Sequence, residues 1–295
     1  MDAPPLPEDP AMAAPPRHAA SLVLLRDGDA GLQVLLLQRG GEDTVLAGAH
    51  VFPGGKLERD DADDDSLSRF DCDPRALHAR LGEPELDERE AAALYVAAIR
   101  EAFEETGVLL APGADGATAE RARALHREGH AFPEVMAALD LRLAAASLQP
   151  WSRWITPRVP SMMRRRFDTR FFVARLPEGQ RVVHDPREAV AAAWLAPREA
   201  LERYWAGEID MAAPQIMTLA HLARHPDVDA ALADAAGRLP PVVRPHPIEV
   251  DGGRVLCYPG DPEHPVAERA MPGPTRMLLA GGRFRPPGGF DDWFA

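Results

Sequence analysis

Glu101, Glu104 and Glu105 stand at i, i+3 and i+4 of the run Arg100-Glu101-Ala102-Phe103-Glu104-Glu105-Thr106-Gly107-Val108. In a helix, at 100° per residue, Glu104 and Glu105 project within about 60° of Glu101, so the three carboxylates share one face. Tyr95, Val96, Ile99, Phe103 and Thr106 fall on the other side as an apolar stripe suited to a core. Gly107 follows where a helix end needs a left-handed residue. In water, like charges stacked this way cost about 0.2–0.5 kcal/mol per pair. A hard divalent cation, which takes oxygen ligands, turns that repulsion into binding. A solvated acidic face is the competing reading and needs no ligand.

Upstream, His50-Val51-Phe52-Pro53-Gly54-Gly55-Lys56-Leu57-Glu58 reads as a short strand entering a tight Gly-Gly loop. Gly54-Gly55 followed by Arg-Glu-x-x-Glu-Glu-x-Gly resembles the signature of the Nudix hydrolases. The resemblance implies an α/β fold, the Nudix α/β/α sandwich with a mixed, curved sheet. It also implies a loop–helix–loop that carries Mg²⁺ or Mn²⁺ against a diphosphate. Carried over residue by residue, it makes Glu101, Glu104 and Glu105 metal ligands, with the backbone carbonyl of Gly55 as a further one. Arg100 would orient the glutamates.

The chain departs from that signature in one large way. The usual box has fourteen positions from its Gly to its Arg, whereas Gly55 and Arg100 are forty-five apart. An acidic insertion, residues 59–89, interrupts the box with Asp60-Asp61-Ala62-Asp63-Asp64-Asp65 and then Asp71, Asp73, Glu83, Glu85, Asp87 and Glu88. Its charge density and scarcity of large apolar residues predict a solvated, peripheral excursion beside the substrate cleft. Counting back eight positions from Arg100, where the ordinary box has a supporting glutamate, gives Ala92. Glu58 and Glu90 are the candidates to replace it.

An interrupted box resembles one subgroup in particular, the coenzyme A diphosphatases of animal peroxisomes and their bacterial relatives. Gly48-Ala49-His50-Val51-Phe52-Pro53-Gly54-Gly55, Trp154-Ile155-Thr156-Pro157 and Arg166-Phe167-Asp168-Thr169-Arg170-Phe171-Phe172 carry that likeness. Leu37-Gln38-Arg39-Gly40 meets only part of the subgroup's further pattern, an Arg-Ser run before the Phe-Pro-Gly-Gly. The implied activity is metal-dependent hydrolysis of a diphosphate bond, with coenzyme A or an acyl-coenzyme A as substrate. ADP-ribose, NADH or a nucleotide sugar are the alternative substrates, and a non-catalytic nucleotide-binding module is the alternative class.

A diphosphate resists attack because its oxygens repel a nucleophile; divalent metals neutralise that charge and activate a bound water. Glu104 or Glu105 can combine the ligand role with that of general base. No serine, cysteine or histidine constellation suggests a covalent nucleophile, and the ten histidines are read as showing no paired metal-ligand spacing. Arg164-Arg165-Arg166 can hold phosphates through guanidinium forks, against the alternative of a solvated basic loop. Arg39 and Lys56 flank the Gly-Gly loop and can face the diphosphate. Glu188 lies where many Nudix enzymes place an accessory glutamate, a surface acid being the plainer reading.

Composition fits such an enzyme. Thirty-three basic against forty-six acidic residues give a net charge of −13, which disfavours a nucleic-acid partner and leaves an anionic substrate to local arginines and metal. Two distant cysteines, Cys72 and Cys257, suggest no disulfide framework and a reducing compartment. No run spans a membrane, and Asp-Asp-Trp-Phe-Ala at the end carries no peroxisomal address, so the expected location is cytoplasmic. The expected partner is a small diphosphate, with a homodimer left open.

The elements that must position the site can be read coarsely. Residues 1–17, rich in Pro and Ala, read as a disordered tail; 18–206 as the catalytic domain; and 207–295 as a helix and a Pro/Gly-rich extension packed on it. Runs 20–25 and 32–38 predict a hairpin through Asp27-Gly28-Asp29-Ala30-Gly31. Further strands are expected at 108–110, 143–156, 166–176 and 194–195. Helices are expected at 74–80, 117–127, 133–141, 198–205 and 211–223, and strand-like runs at 255–258 and 276–279.

Overall fold

The computed structural model describes residues 14–40, 48–158, 166–187, 189–250 and 253–295. Its first two strands, β1 (Arg17–Gly28) and β2 (Gly31–Arg39), form the expected hairpin, with Gly28 opposite Gly31 across a two-residue loop. Gly31 takes φ +111°, a conformation that a side chain would strain. Along β1 the side chains alternate between two cores: Leu22 and Leu24 enter one, Val23 and Leu25 the other. Leu35 and Leu37 alternate with Val34 and Leu36 in the same way, so the sheet is buried on both faces and its strands read as unbroken apolar runs.

Six more strands complete this sheet: β3 (His50–Val51), β4 (Gly54–Lys56), β5 (Gln149–Ile155), β6 (Phe167–Arg175), β7 (Ala189–Leu195) and β8 (Val242–Val243). The order is β3-β2-β1-β6-β5-β8, with β4 also pairing β1 and β7 pairing β2. The β1–β6 and β5–β8 pairs are parallel and the remaining pairs antiparallel, so the sheet is mixed as expected.

One face is covered by α3 (Glu88–Thr106), preceded by the short α1 (Asp64–Ser68) and α2 (Pro74–Leu81). Asp87 caps the start of α3 by accepting from the Glu90 N–H, and Gly107, at φ +65°, ends it. The stripe foreseen in the sequence is there: Tyr95, Val96, Ile99, Phe103 and Thr106 are all buried. Beyond it, α4 (Gly116–Arg127) and α5 (Phe132–Ala138) extend the same layer, Phe132 packing on Phe103. The other face is covered by α6 (Pro197–Ala206), α7 (Ala213–Leu222) and α8 (Val228–Ala236), whose apolar residues meet Val23, Val34, Phe171 and Val173. Helices on both sides of a mixed sheet make an α/β/α sandwich.

The last residues build a second, four-stranded antiparallel sheet: β9 (His246–Val250), β10 (Gly253–Cys257), β11 (Arg276–Ala280) and β12 (Arg283–Arg285). Trp293 is fully buried against Tyr204 and Trp205. Arg283 donates 2.9 Å bonds to the carbonyls of Tyr204, in the last turn of α6, and Ile209, in the loop beyond it.

Two expectations fail on inspection of the backbone. Residues 108–110 form no strand: the Gln180 side chain accepts from the Leu109 N–H and donates to the Leu109 carbonyl, both at 2.9 Å, in place of a neighbouring strand. The insertion is not peripheral. Its Phe70, Leu77, Leu81 and Leu86 are buried in the core under α3, and the Tyr95 hydroxyl donates to the Leu77 carbonyl at 3.1 Å. Its acidic residues divide by position: Asp60, Asp64 and Asp65 face solvent, whereas Asp61 and Glu83 are buried against arginines.

Candidate active site

The last two turns of α3 lie against β4, and this contact gathers the carboxylates. β4 pairs β1 through Ala20 with Gly55 and Ser21 with Gly54. The Ser21 hydroxyl donates to the Pro53 carbonyl at 2.9 Å, fixing the entry to the loop. The Gly54 N–H donates to Glu105 Oε2 at 3.1 Å. A Cβ on Gly55 would fall onto the Glu101 carboxylate and push it from its place, so glycine leaves room for the carboxylate beside the loop.

Arg100 organises the cluster. It is 7 % exposed, and its Nη1 donates to Glu101 Oε1 at 2.8 Å and to Glu104 Oε2 at 3.0 Å. Its Nη2 reaches the Lys56 carbonyl at 3.2 Å, tying the helix to the end of β4. The far side of the guanidinium is held by Asp61, which accepts from Nε at 2.7 Å and from Nη2 at 3.0 Å. Asp61 in turn accepts from the Glu58 N–H at 2.8 Å. A single arginine therefore links the end of β4, Asp61 and two of the three glutamates.

Asp61 is the residue that sequence reasoning missed. Ala92 is buried and without a polar group, Glu90 is exposed, and Glu58 pairs with Lys56 at 2.9 Å. The signal was available: fourteen positions less eight leaves six, and six beyond Gly55 is Asp61. The insertion therefore enters after the supporting acid and not before it.

The electrostatics are those of a site short of positive charge. Three carboxylates, Asp61, Glu101 and Glu104, contact one guanidinium, and a fourth, Glu105, meets the Gly54 N–H. Burial raises the Glu101 and Glu104 carboxyls above the ordinary range, and Arg100 only partly offsets it. Burial alone would lower Arg100; the bonds and charge of Asp61, with Glu101 and Glu104, drive it upward instead. Arg100 occupies one oxygen of Glu101 and one of Glu104, and the second oxygen of each has no hydrogen-bond donor among the described residues. Hard oxygen donors with a charge deficit fit a divalent cation such as Mg²⁺.

The other expected residues are placed unevenly. Lys56 contributes its carbonyl to Arg100 while its ammonium pairs with Glu58 in solvent. Arg39 is exposed at the end of β2, its N–H donating to Ala49 at 3.0 Å. Arg166 is buried, donating from Nε to the Thr156 carbonyl at 3.1 Å and from Nη1 to the Ala14 carbonyl at 3.2 Å. Arg164, Arg165 and Glu188 lie outside the described residues. Before Glu188, the N–H groups of Val183 and Asp185 donate to the Thr106 and Glu105 carbonyls at 2.8 and 3.1 Å, so this segment closes the end of α3.

A profile of the NUDT19 Nudix domain matches residues 11–222 of this chain. The chain belongs to the Nudix family. Human acyl-coenzyme A diphosphatase NUDT19 (Homo sapiens) is 34 % identical to it over 231 residues, 65 % of this chain and 61 % of that protein. This Nudix chain thus spans about three-fifths of the human relative's length. A putative nudix hydrolase 7 of Caenorhabditis elegans is 25 % identical over 268 residues, 90 % of this chain and 79 % of that protein. Among solved structures, a NUDIX hydrolase from Alicyclobacillus acidocaldarius superposes with a TM-score of 0.56 at 27 % identity, covering 76 % of this chain and 97 % of its own. No described helix of this Nudix chain is long and apolar enough to cross a membrane.

Proposed function

We propose that this Nudix chain is a metal-dependent diphosphatase that cleaves coenzyme A or an acyl-coenzyme A. The observation that carries the reading is Arg100 joining Glu101 and Glu104 beside the Gly54-Gly55 loop, with Asp61 bracing it from behind. The kinship with acyl-coenzyme A diphosphatases supports the substrate class.

Glu101, Glu104 and Glu105, with the Gly55 carbonyl, would hold Mg²⁺ or Mn²⁺. When bound, such an ion neutralises diphosphate charge and lowers the pKa of a coordinated water. Arg100 keeps Glu101 and Glu104 at fixed separation, so the ligand set is formed before substrate arrives. The Gly54 N–H orients Glu105. Glu104 or Glu105 accepts the proton from the attacking water, and the anhydride P–O bond breaks to give two phosphorylated products.

The test combines substrate and site. Purified protein with Mg²⁺ or Mn²⁺ should convert coenzyme A to 3′-phosphoadenosine 5′-phosphate and 4′-phosphopantetheine, identified by mass. Glu104→Gln and Glu105→Gln should each lower kcat by about a hundredfold or more while leaving the fold intact. Near-wild-type rates in both variants would move the site elsewhere. Hydrolysis of ADP-ribose, NADH or a sugar nucleotide, with none of coenzyme A, would replace the substrate.

A further inference from the structure

Contrary to the sequence reading, one histidine pair does have ligand spacing. His221 lies in the last turn of α7 and His225 follows four positions later, in the turn leading to α8; Asp234 of α8 faces both. His221 Nε2 is 3.5 Å and His225 Nε2 is 3.7 Å from Asp234 Oδ2. Both separations exceed the roughly 2.7–3.2 Å of an N–H···O hydrogen bond. They approach the edge of a coordination tetrahedron, in which bonds of about 2.0–2.2 Å place neighbouring ligand atoms roughly 3.3–3.6 Å apart. All three ligand atoms lie within 4.8 Å of one another.

The surroundings point the same way. His221 is 8 % exposed, yet its ring makes no hydrogen bond among the described residues. An imidazole that makes no hydrogen bond keeps a nitrogen lone pair open to a cation. Trp151 of β5, itself buried, packs against the His221 ring at 4.5 Å and the His225 ring at 5.9 Å, which limits how either can turn. Arg238 donates to Asp234 Oδ2 at 3.0 Å and to the Trp151 carbonyl at 3.0 Å, and so orients the carboxylate as outer partners of metal ligands do. No described residue donates to Asp234 Oδ1.

We propose that His221, His225 and Asp234 form a second cation site that takes a transition metal of the Zn²⁺ class and staples α7 to α8. Two imidazoles select such an ion over Mg²⁺ or Ca²⁺. Three protein ligands leave the fourth position to water. This site stands apart from the α3 carboxylates and goes beyond the diphosphatase reading.

Chelator-stripped full-length protein, kept in excess Mg²⁺ to fill the carboxylate site, is titrated with Co²⁺. One equivalent should produce the intense visible bands of four-coordinate Co²⁺, and Zn²⁺ should abolish them. Zn²⁺ should also raise the melting temperature by several degrees or so. His225→Ala and Asp234→Asn should lose the bands, whereas Glu104→Gln should keep them. Absence of intense bands in the wild-type chain would overturn the proposal, and this measurement decides even where a variant fails to fold. Bands that survive His225→Ala, or vanish with Glu104→Gln, would overturn it equally.

Discussion

Asp61 and Arg100, thirty-nine positions apart, meet in a two-bond fork at 2.7 and 3.0 Å that is closed to solvent, Asp61 being 1 % exposed. The acid stands six positions after Gly55, just ahead of the insertion, and the arginine on α3 beyond it. The fork holds one edge of the guanidinium while Nη1 serves Glu101 and Glu104. The two halves of the Nudix box, separated in sequence by the insertion, are thereby rejoined around the glutamates.

Asp61→Ala should therefore damage both stability and rate. Removing one partner of a buried ion pair costs about 3–5 kcal/mol, and an unbraced Arg100 is free to shift the glutamates, which should lower kcat by at least about tenfold. Asp61→Glu should restore part of both. Urea denaturation and steady-state kinetics check the pair. A fully active, fully stable Asp61→Ala would show that Arg100 needs no brace.

The insertion as a whole should not be removable. Replacing residues 59–89 by a short loop strips Phe70, Leu77, Leu81 and Leu86 from the core. It also leaves Arg170 without the buried Glu83 that its guanidinium holds, while Arg153 keeps only Asp168. Leu77→Ala alone should cost about 2–5 kcal/mol. The deletion should give a chain that fails to fold cooperatively, seen as a lost thermal transition; a folded, merely altered enzyme would revive the expectation of a peripheral loop.

Much of this was legible beforehand, for a physical reason. The glutamate face depends only on helical period, and the β1–β2 hairpin only on local turn chemistry, so both are written within a few residues. Asp61 and Glu83 are different, because an acidic run does not state which of its members an arginine distant in sequence will bury. Residues 108–110 are apolar enough for a strand, but whether one forms depends on Gln180, seventy positions on. The α8 helix, Val228-Asp229-Ala230-Ala231-Leu232-Ala233-Asp234-Ala235-Ala236, was overlooked because alanine gives a weak periodic signal. His221 and His225 stand four apart in the sequence itself, so the expectation of no paired spacing was wrong there; only the approach of Asp234 needed the fold.

The raised Glu101 and Glu104 carboxyls set the direction of a pH effect. Their folded state binds protons more tightly than the unfolded chain does, so the metal-free fold loses stability as pH rises from the ordinary glutamate range, about 4.5, through their raised values. A divalent cation competes with those protons. Mg²⁺ should therefore raise the melting temperature more at about pH 8 than at about pH 5, and Glu104→Gln should shrink that increment. Equal increments at both pH values would mean that Mg²⁺ binds away from these carboxylates.

The substrate can be tested through its 3′-phosphate, the group that coenzyme A has and that ADP-ribose and NADH lack. Of the three consecutive arginines that the sequence offers for it, Arg166 already commits Nε and Nη1 to backbone carbonyls, so the task falls first to Arg164 and Arg165. A charge-assisted contact is worth about 1.5–3 kcal/mol, roughly ten- to a hundredfold in affinity. Coenzyme A should accordingly exceed its 3′-dephospho form in kcat/KM by that factor. Arg164→Ala or Arg165→Ala should reduce the ratio toward one, through KM where the contact is uniform and also through kcat where it helps position the diphosphate. Equal kcat/KM for the two substrates in the wild type would remove the arginines from substrate recognition while leaving the carboxylate site untouched.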